Sequence, residues 1–198
     1  MKKLLLATLL LTAIHVSGQE KNETEGVNSL LKITLINPGV SYEQRIGKFH
    51  TLFLQGFINT SSFNTTDLYG RRTYRFYIDP ALTFQYRYYF NYNRRSGKGL
   101  RTENNNLNYL APVYQAFWTK LPLSTNVYPD KRRPLHVVAA VWGMQRNYTK
   151  AHFTLDLNAG PGVMFGSSTY SSPNYYVHEK KTQFTIYSQL NIGFWLGK

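Results

Sequence analysis

Residues 76–91 read Phe76-Tyr77-Ile78-Asp79-Pro80-Ala81-Leu82-Thr83-Phe84-Gln85-Tyr86-Arg87-Tyr88-Tyr89-Phe90-Asn91. Successive side chains of an extended chain point to opposite faces. Phe76, Ile78, Pro80, Leu82, Phe84, Tyr86, Tyr88 and Phe90 therefore share one face. Tyr77, Asp79, Ala81, Thr83, Gln85, Arg87, Tyr89 and Asn91 share the other. The run is a single ribbon with an oily side and a polar side. Strands of soluble proteins are mostly about 5–6 residues long. This one is far longer and carries charge within its polar face. Lipid on one side and a wet interior on the other would explain both features.

The same alternation recurs along the chain. Phe153, Leu155, Leu157, Ala159, Pro161, Val163 and Phe165 alternate with Thr154, Asp156, Asn158, Gly160, Gly162 and Met164. Phe184, Ile186, Leu190, Ile192, Phe194 and Leu196 alternate with Thr185, Tyr187, Gln189, Asn191, Gly193 and Trp195. Further strands are expected over residues 30–43, 50–60, 109–118 and 135–146. The first slips phase near Asn37, which reads as a bulge. Gly47-Lys48 and residues 147–150 read as tight turns. Segments 61–73, 92–106, 121–134 and 166–181 read as polar loops. Seven strands are visible, and single-chain bacterial barrels carry even numbers. An eighth is expected within 169–178 or near 123–128. Pro38, Pro80 and Pro161 fall inside strands and need bulges or strand ends, because proline removes a ladder donor.

The expected fold is all-β: a single antiparallel up-and-down transmembrane β-barrel of eight strands, over residues 30–198. Alternation does not say which face points inward, so a soluble lipocalin-like barrel is the alternative. Asp79, Arg87 and Asp156 on the polar faces favour the membrane form. Residues 1–18 read as a signal peptide, with Lys2-Lys3 ahead of a short apolar run and small residues before Gln19. Residues 19–29 read as a mobile polar tail. The chain has a formal charge of +13, or +11 without Lys2 and Lys3, and no cysteine. Disulfides and thiolate chemistry are thereby excluded. An exported chain this basic suits an acidic lipid surface rather than nucleic acid.

Three stretches carry a family likeness. Asn191-Ile192-Gly193-Phe194-Trp195-Leu196 has the polar, glycine and aromatic pattern of a last strand read by the barrel assembly machinery. Val40-Ser41-Tyr42-Glu43 and Gln85-Tyr86-Arg87-Tyr88-Tyr89-Phe90 add to it. Over residues 30–198 the chain resembles small outer-membrane β-barrel proteins of Gram-negative bacteria, in an uncharacterised branch of that group. Family members usually end on an aromatic residue, whereas this chain ends Gly197-Lys198. The resemblance implies an outer-membrane location. It also implies contact with outer-membrane lipids and lipopolysaccharide, and with the assembly machinery during insertion. It implies no particular activity.

Two residue sets are candidates for function. Glu43, Asp79, Arg87, Arg146 and Asp156 are expected to form a polar network in the lumen. An eight-stranded interior is just wide enough for side chains to fill, so a plug is favoured over a pore. Arg94, Arg95, Lys98, Arg101, Lys131, Arg132 and Arg133 are expected on loops, available to lipid phosphates. Ser171, Ser172, His178 and Glu179 share one segment, but proximity alone does not make a nucleophile. A lipid A-modifying enzyme is therefore an alternative only, alongside a narrow pore and a soluble periplasmic lipid-binding barrel. His50, His136 and His152 lack metal-ligand spacing. No catalytic residue, metal or cofactor is expected.

Overall fold

The computed structural model describes residues 25–66, 70–120, 131–172 and 175–196. The expected leader, the tail up to residue 24 and the expected strand near 123–128 lie outside the described residues.

Eight strands follow one another: β1 (Leu30–Ile36), β2 (Gly39–Arg45), β3 (His50–Thr66), β4 (Arg72–Tyr88), β5 (Asn108–Thr119), β6 (Arg133–Tyr148), β7 (Phe153–Ser172) and β8 (Tyr175–Leu196). Each pairs antiparallel with its sequence neighbours. β1 pairs back onto β8, from Leu31 with Leu196 to Ile36 with Ile192, which closes a ring. The connection between β4 and β5 carries a short helix α1 (Tyr92–Ser96) and a 3-10 turn at Glu103–Asn105.

The eighth strand of the ring comes from residues 30–43, which form two strands, whereas 169–178 extends β7 and β8. The chain reverses at Asn37-Pro38 in a hairpin turn, and beside it the β1–β8 ladder shifts register between Thr34 and Ile36, an irregularity of the kind expected there. Asn37 adopts φ 54°, a left-handed conformation that asparagine tolerates. The Thr34 hydroxyl donates to the Asn37 carbonyl at 2.7 Å. Leu31 pairs with Tyr42 and Ile33 with Val40, so the two phases of the pattern meet on one outward face. The phase slip was the signature of a reversal.

Two expected loops are also strands. β3 and β4 stay paired out to Thr66 with Arg72, and β7 and β8 out to Ser172 with Tyr175. There each hairpin is a two-stranded ribbon without outer neighbours among the described residues. β4 pairs with β5 only from Ala81, and β7 with β6 only up to Gly166. Residues 61–66 and 167–172 carry no strict apolar alternation, which is why these stretches look like loops in sequence. Pro80 stands just past the Ala81–Phe117 end of the β4–β5 ladder, and Pro161 lies where the β6–β7 ladder is interrupted. Neither removes a ladder bond there.

The sheet is staggered. Lys181, Gly166, Leu135, Phe117, Ala81, Phe57, Gly39 and Thr34 are successive partners around the ring, and Thr34 meets β8 again at Gly193. The circuit closes twelve residues further along β8. A closed sheet with stagger has strands inclined to its axis. The β2–β3 and β6–β7 turns, the β4–β5 connection and the last strand's end share one rim with the start of β1, here the terminal end. The two ribbons project from the opposite rim, the ribbon end.

The faces are divided by polarity. Leu82, Phe84, Tyr86 and Tyr88 point out and are exposed, while Asp79, Thr83, Gln85 and Arg87 point in and are fully buried. The oily side of residues 76–91 is the outer one.

Candidate functional site

The interior centres on Arg87. Its Nη2 lies 2.8 Å from Asp156 Oδ2, and its Nη1 lies 3.7 Å from Glu43 Oε2. Nε donates to Gln85 Oε1 and Nη1 to Gln145 Oε1, both at 2.8 Å. The guanidinium is held between two rings, 3.8 Å from the Phe53 centroid and 4.3 Å from that of Tyr109. Lys32 Nζ donates to Glu43 Oε2 and to Gln145 Oε1, each at 2.8 Å. Glu43 Oε1 accepts from Thr51 at 2.9 Å, from Asn105 at 3.0 Å and from the Tyr89 hydroxyl. The Tyr109 hydroxyl donates to Asp156 Oδ1 at 2.7 Å.

This cluster holds two cations, Lys32 and Arg87, and two anions, Glu43 and Asp156. Its net charge is zero. A charge removed from water costs several kcal/mol unless it is paired and hydrogen-bonded, so the four groups depend on one another. Alternation delivers them: each occupies an inward position on its own strand (β1, β2, β4 or β7), and the stagger brings those positions to one level. Gly143 on β6 makes room for Tyr109, because a Cβ there would lie 2.2 Å from the phenol ring.

The terminal end is capped over this cluster. Val27 and Leu107 are fully buried, and Val27 N donates to Lys48 O at 3.0 Å. Asn105 receives a bond from Asn28 N at 2.6 Å and returns one to Asn28 O at 2.8 Å. The expected mobile tail is thus anchored from Glu25 onward. Lys48, 2.9 Å from the Glu25 carboxylate, holds its pKa below the usual range.

Toward the ribbon end the lining changes. Gln55 exchanges amide bonds with Gln189 at 3.0 Å and Asn191 at 3.2 Å. Above them Phe57, Ala81, Phe117, Leu135, Val137 and Ala139 form an apolar collar. Asp79 lies beyond the collar, bound by Ser61 at 2.9 Å and by Arg132 at 2.7 Å.

The structure brings three of the five expected lumen residues together: Glu43, Arg87 and Asp156. Asp79 is buried but apart from them. Arg146 is not in the network. It follows the inward Gln145 on β6 and so points outward, where its guanidinium binds Leu107 O at 3.0 Å and Asn108 Oδ1 at 2.8 Å. Lys32, Gln145, Tyr89, Tyr109 and Asn105 were missed. Lys32 had a readable signal, since it alternates with Leu31 and Ile33 and so opposes the oily face.

The expected phosphate contacts divide between the two ends. Arg94, Arg95, Lys98 and Arg101 belong to the β4–β5 connection at the terminal end, and Arg95 is engaged with Arg101 O at 3.1 Å. Lys131 is exposed near the ribbon end. Arg132 is not free, since it also binds Ile78 O at 2.8 Å and Trp118 O at 2.9 Å. Those carbonyls flank the place where β4 parts from β5. Arg133 is a buried strand residue rather than a loop residue, because it begins β6 facing inward. Two outer clefts add basic residues. One, of about 580 Å³, is lined by Arg101, Tyr148, Lys150 and Phe153. The other, of about 330 Å³, is lined by His136, Phe165, Lys180 and Lys181.

His178 Nδ1 lies 3.0 Å from the Thr169 hydroxyl, and the side chains of Ser171 and Ser172 lie outside those described. Among the described residues no group of three His, Asp or Glu side chains could hold a metal. No family model, no curated protein and no solved structure matches this chain.

Proposed function

We propose that this ring is an outer-membrane β-barrel of structural or surface-interaction type, with a lumen closed by side chains and no enzymatic activity. One observation carries the reading. Large apolar side chains cover the outside while Lys32, Glu43, Arg87 and Asp156 are sealed inside. Water outside would leave that oily surface unsatisfied, whereas hydrocarbon would not.

Aromatic rows support the placement. At the terminal end His50 stacks on Tyr88 with centroids 4.9 Å apart, and Tyr148 lies 5.8 Å from Phe153. Nearer the ribbon end His136 stacks between Tyr114 and Phe165, at 5.9 and 5.3 Å. On β6, Val138, Ala140, Trp142 and Met144 lie between the rows. From His136 to Tyr148, a rise of about 3.3 Å per residue and a tilt of about 45° give roughly 28 Å, near the ~25 Å apolar band of such barrels.

In such barrels the short turns face the periplasm and the longer loops the outside. With the two projecting ribbons taken as the long external loops, the terminal end, with its short β2–β3 and β6–β7 turns and despite the longer β4–β5 connection, would be periplasmic. Lipopolysaccharide phosphates would meet Lys131, Lys180 and Lys181. Arg94, Lys98, Arg101 and Lys150 would meet headgroups of the opposite leaflet. The paired core of Lys32, Glu43, Arg87 and Asp156, under its cap, favours a plug over a pore.

Membrane fractionation followed by heat-modifiable gel migration tests this reading. Recovery in the outer membrane with a heat-dependent shift is expected. Recovery in the detergent-free soluble fraction would favour the soluble lipid-binding alternative. Steady conductance in planar bilayers would favour a pore, and altered lipid A masses on gene deletion would favour an enzyme.

A further inference from the structure

The wall of the ring is incomplete on one side. β1 and β2 have 7 residues each. A tilted strand needs about 9–11 residues to cross a bilayer. Their shared turn ends between β3 and β8, where Ile58 N donates to Pro38 O at 2.9 Å and the Asn37 amide donates to Leu190 O at 2.9 Å. Beyond that point, among the described residues, β3 pairs only with β4, and β8 only with β7. A breach two strands wide is left between them.

Exposure marks its edge. On the outer face of β8, Leu190 and Phe194 are 37% and 44% exposed, while Ile186 and Phe184 reach 76% and 72%. The ladder to β7 is continuous through all four, so the rise reflects the missing neighbour on the other side. The surface behind the breach is mainly apolar, with the amides of Gln115 and Gln189 also reaching it at 9% and 6% exposure. Phe57, Ala81, Phe117 and Val137 keep 6–8% of their surface, whereas Glu43, Gln85 and Arg87 keep none. The opening reaches the collar and stops above the charged plug.

We propose that this breach is a lateral portal that admits one acyl chain of an outer-leaflet lipid to the apolar collar, a site that rests on the membrane reading above. The free edges of β3 and β8 present backbone N–H and C=O groups, which bare hydrocarbon leaves unsatisfied. The ester, amide or hydroxyl groups at the head of a lipid chain can meet them while the chain fills the collar. Lys180 and Lys181, further up β8, line a cleft on its β6–β7 side and put positive charge at the same rim, where an anionic headgroup would sit.

The test uses the full protein in liposomes containing phosphatidylcholine with a mid-chain diazirine, followed by photolysis and peptide mapping. Adducts are expected on the collar residues Phe57, Phe117 and Val137 as well as on the outward Leu110 and Trp142. Adducts on the outward residues alone would overturn the portal and leave the membrane reading intact. Adducts on neither set would overturn both. The variant Ala81→Trp, which fills the collar, should abolish the inner adducts and keep the outer ones. Inner adducts that persist in a variant still showing heat-modifiable migration would also overturn the proposal.

Discussion

The two ends of the ring use the same strands for opposite purposes. At the terminal end every strand has two neighbours, the interior holds four mutually dependent charges, and Val27 and Leu107 seal the rim. At the ribbon end β3 with β4 and β7 with β8 run on as pairs, and Arg132 staples the β4 side by binding Asp79, Ile78 O and Trp118 O. Closure is therefore a local property of this sheet. One end is fixed by buried pairing, and at the other two hairpins run on as pairs.

Arg87→Ala should show the largest effect, because it strands Glu43 and Asp156 without their shared partner. Breaking a buried pair costs about 3–5 kcal/mol, and urea unfolding in detergent would report it. Replacing Lys32 and Glu43 together by apolar residues of similar size should cost much less than removing either alone. If the single and double losses are equal, the groups are not coupled as the distances imply.

Gly143→Ala probes the same level by crowding Tyr109, at a cost of about 1–3 kcal/mol. The urea midpoint should fall without a change in slope. Asn37→Ala, at the boundary between the two regions, loses both a left-handed residue and a bond to Leu190. About 1–2 kcal/mol is expected, and Asn37→Gly should recover most of it. At the ribbon end Lys131→Ala should change stability by no more than ~0.5 kcal/mol. A destabilisation there comparable to that of Arg87→Ala would erase the contrast between the ends.

Much of the ring was legible because alternation is strict wherever a strand has an oily outside and a polar inside. Residues 76–91, 153–165 and 182–196 were all read in the correct phase. Legibility failed where that asymmetry fails. Much of the ribbon sequence, such as 61–66 and 167–172, lacks strict apolar alternation and looked like loop. The Asn37-Pro38 turn joins two outward faces across a reversal, which in one dimension looks like a bulge. In the interior, Glu43, Arg87 and Asp156 were readable as inward charges. Their meeting depends on the stagger, which no single strand encodes. Arg146 was misassigned because charge was given more weight than parity, and parity places it on the outer face rather than in the interior. Arg132 looked like one of three equivalent loop cations, and only the parting of β4 from β5 shows which carbonyls it holds.

The chain contains no cysteine, so single cysteines carrying spin labels can be placed one at a time from residue 80 to residue 90 in liposome-embedded protein. Collision with oxygen, which concentrates in hydrocarbon, should peak at Leu82, Phe84 and Tyr86 and fall at Thr83 and Gln85. A water-soluble nickel complex should show no access to the first set. Ready access of the nickel complex to Leu82 and Phe84, with no two-residue period in oxygen, would contradict a lipid-facing exterior.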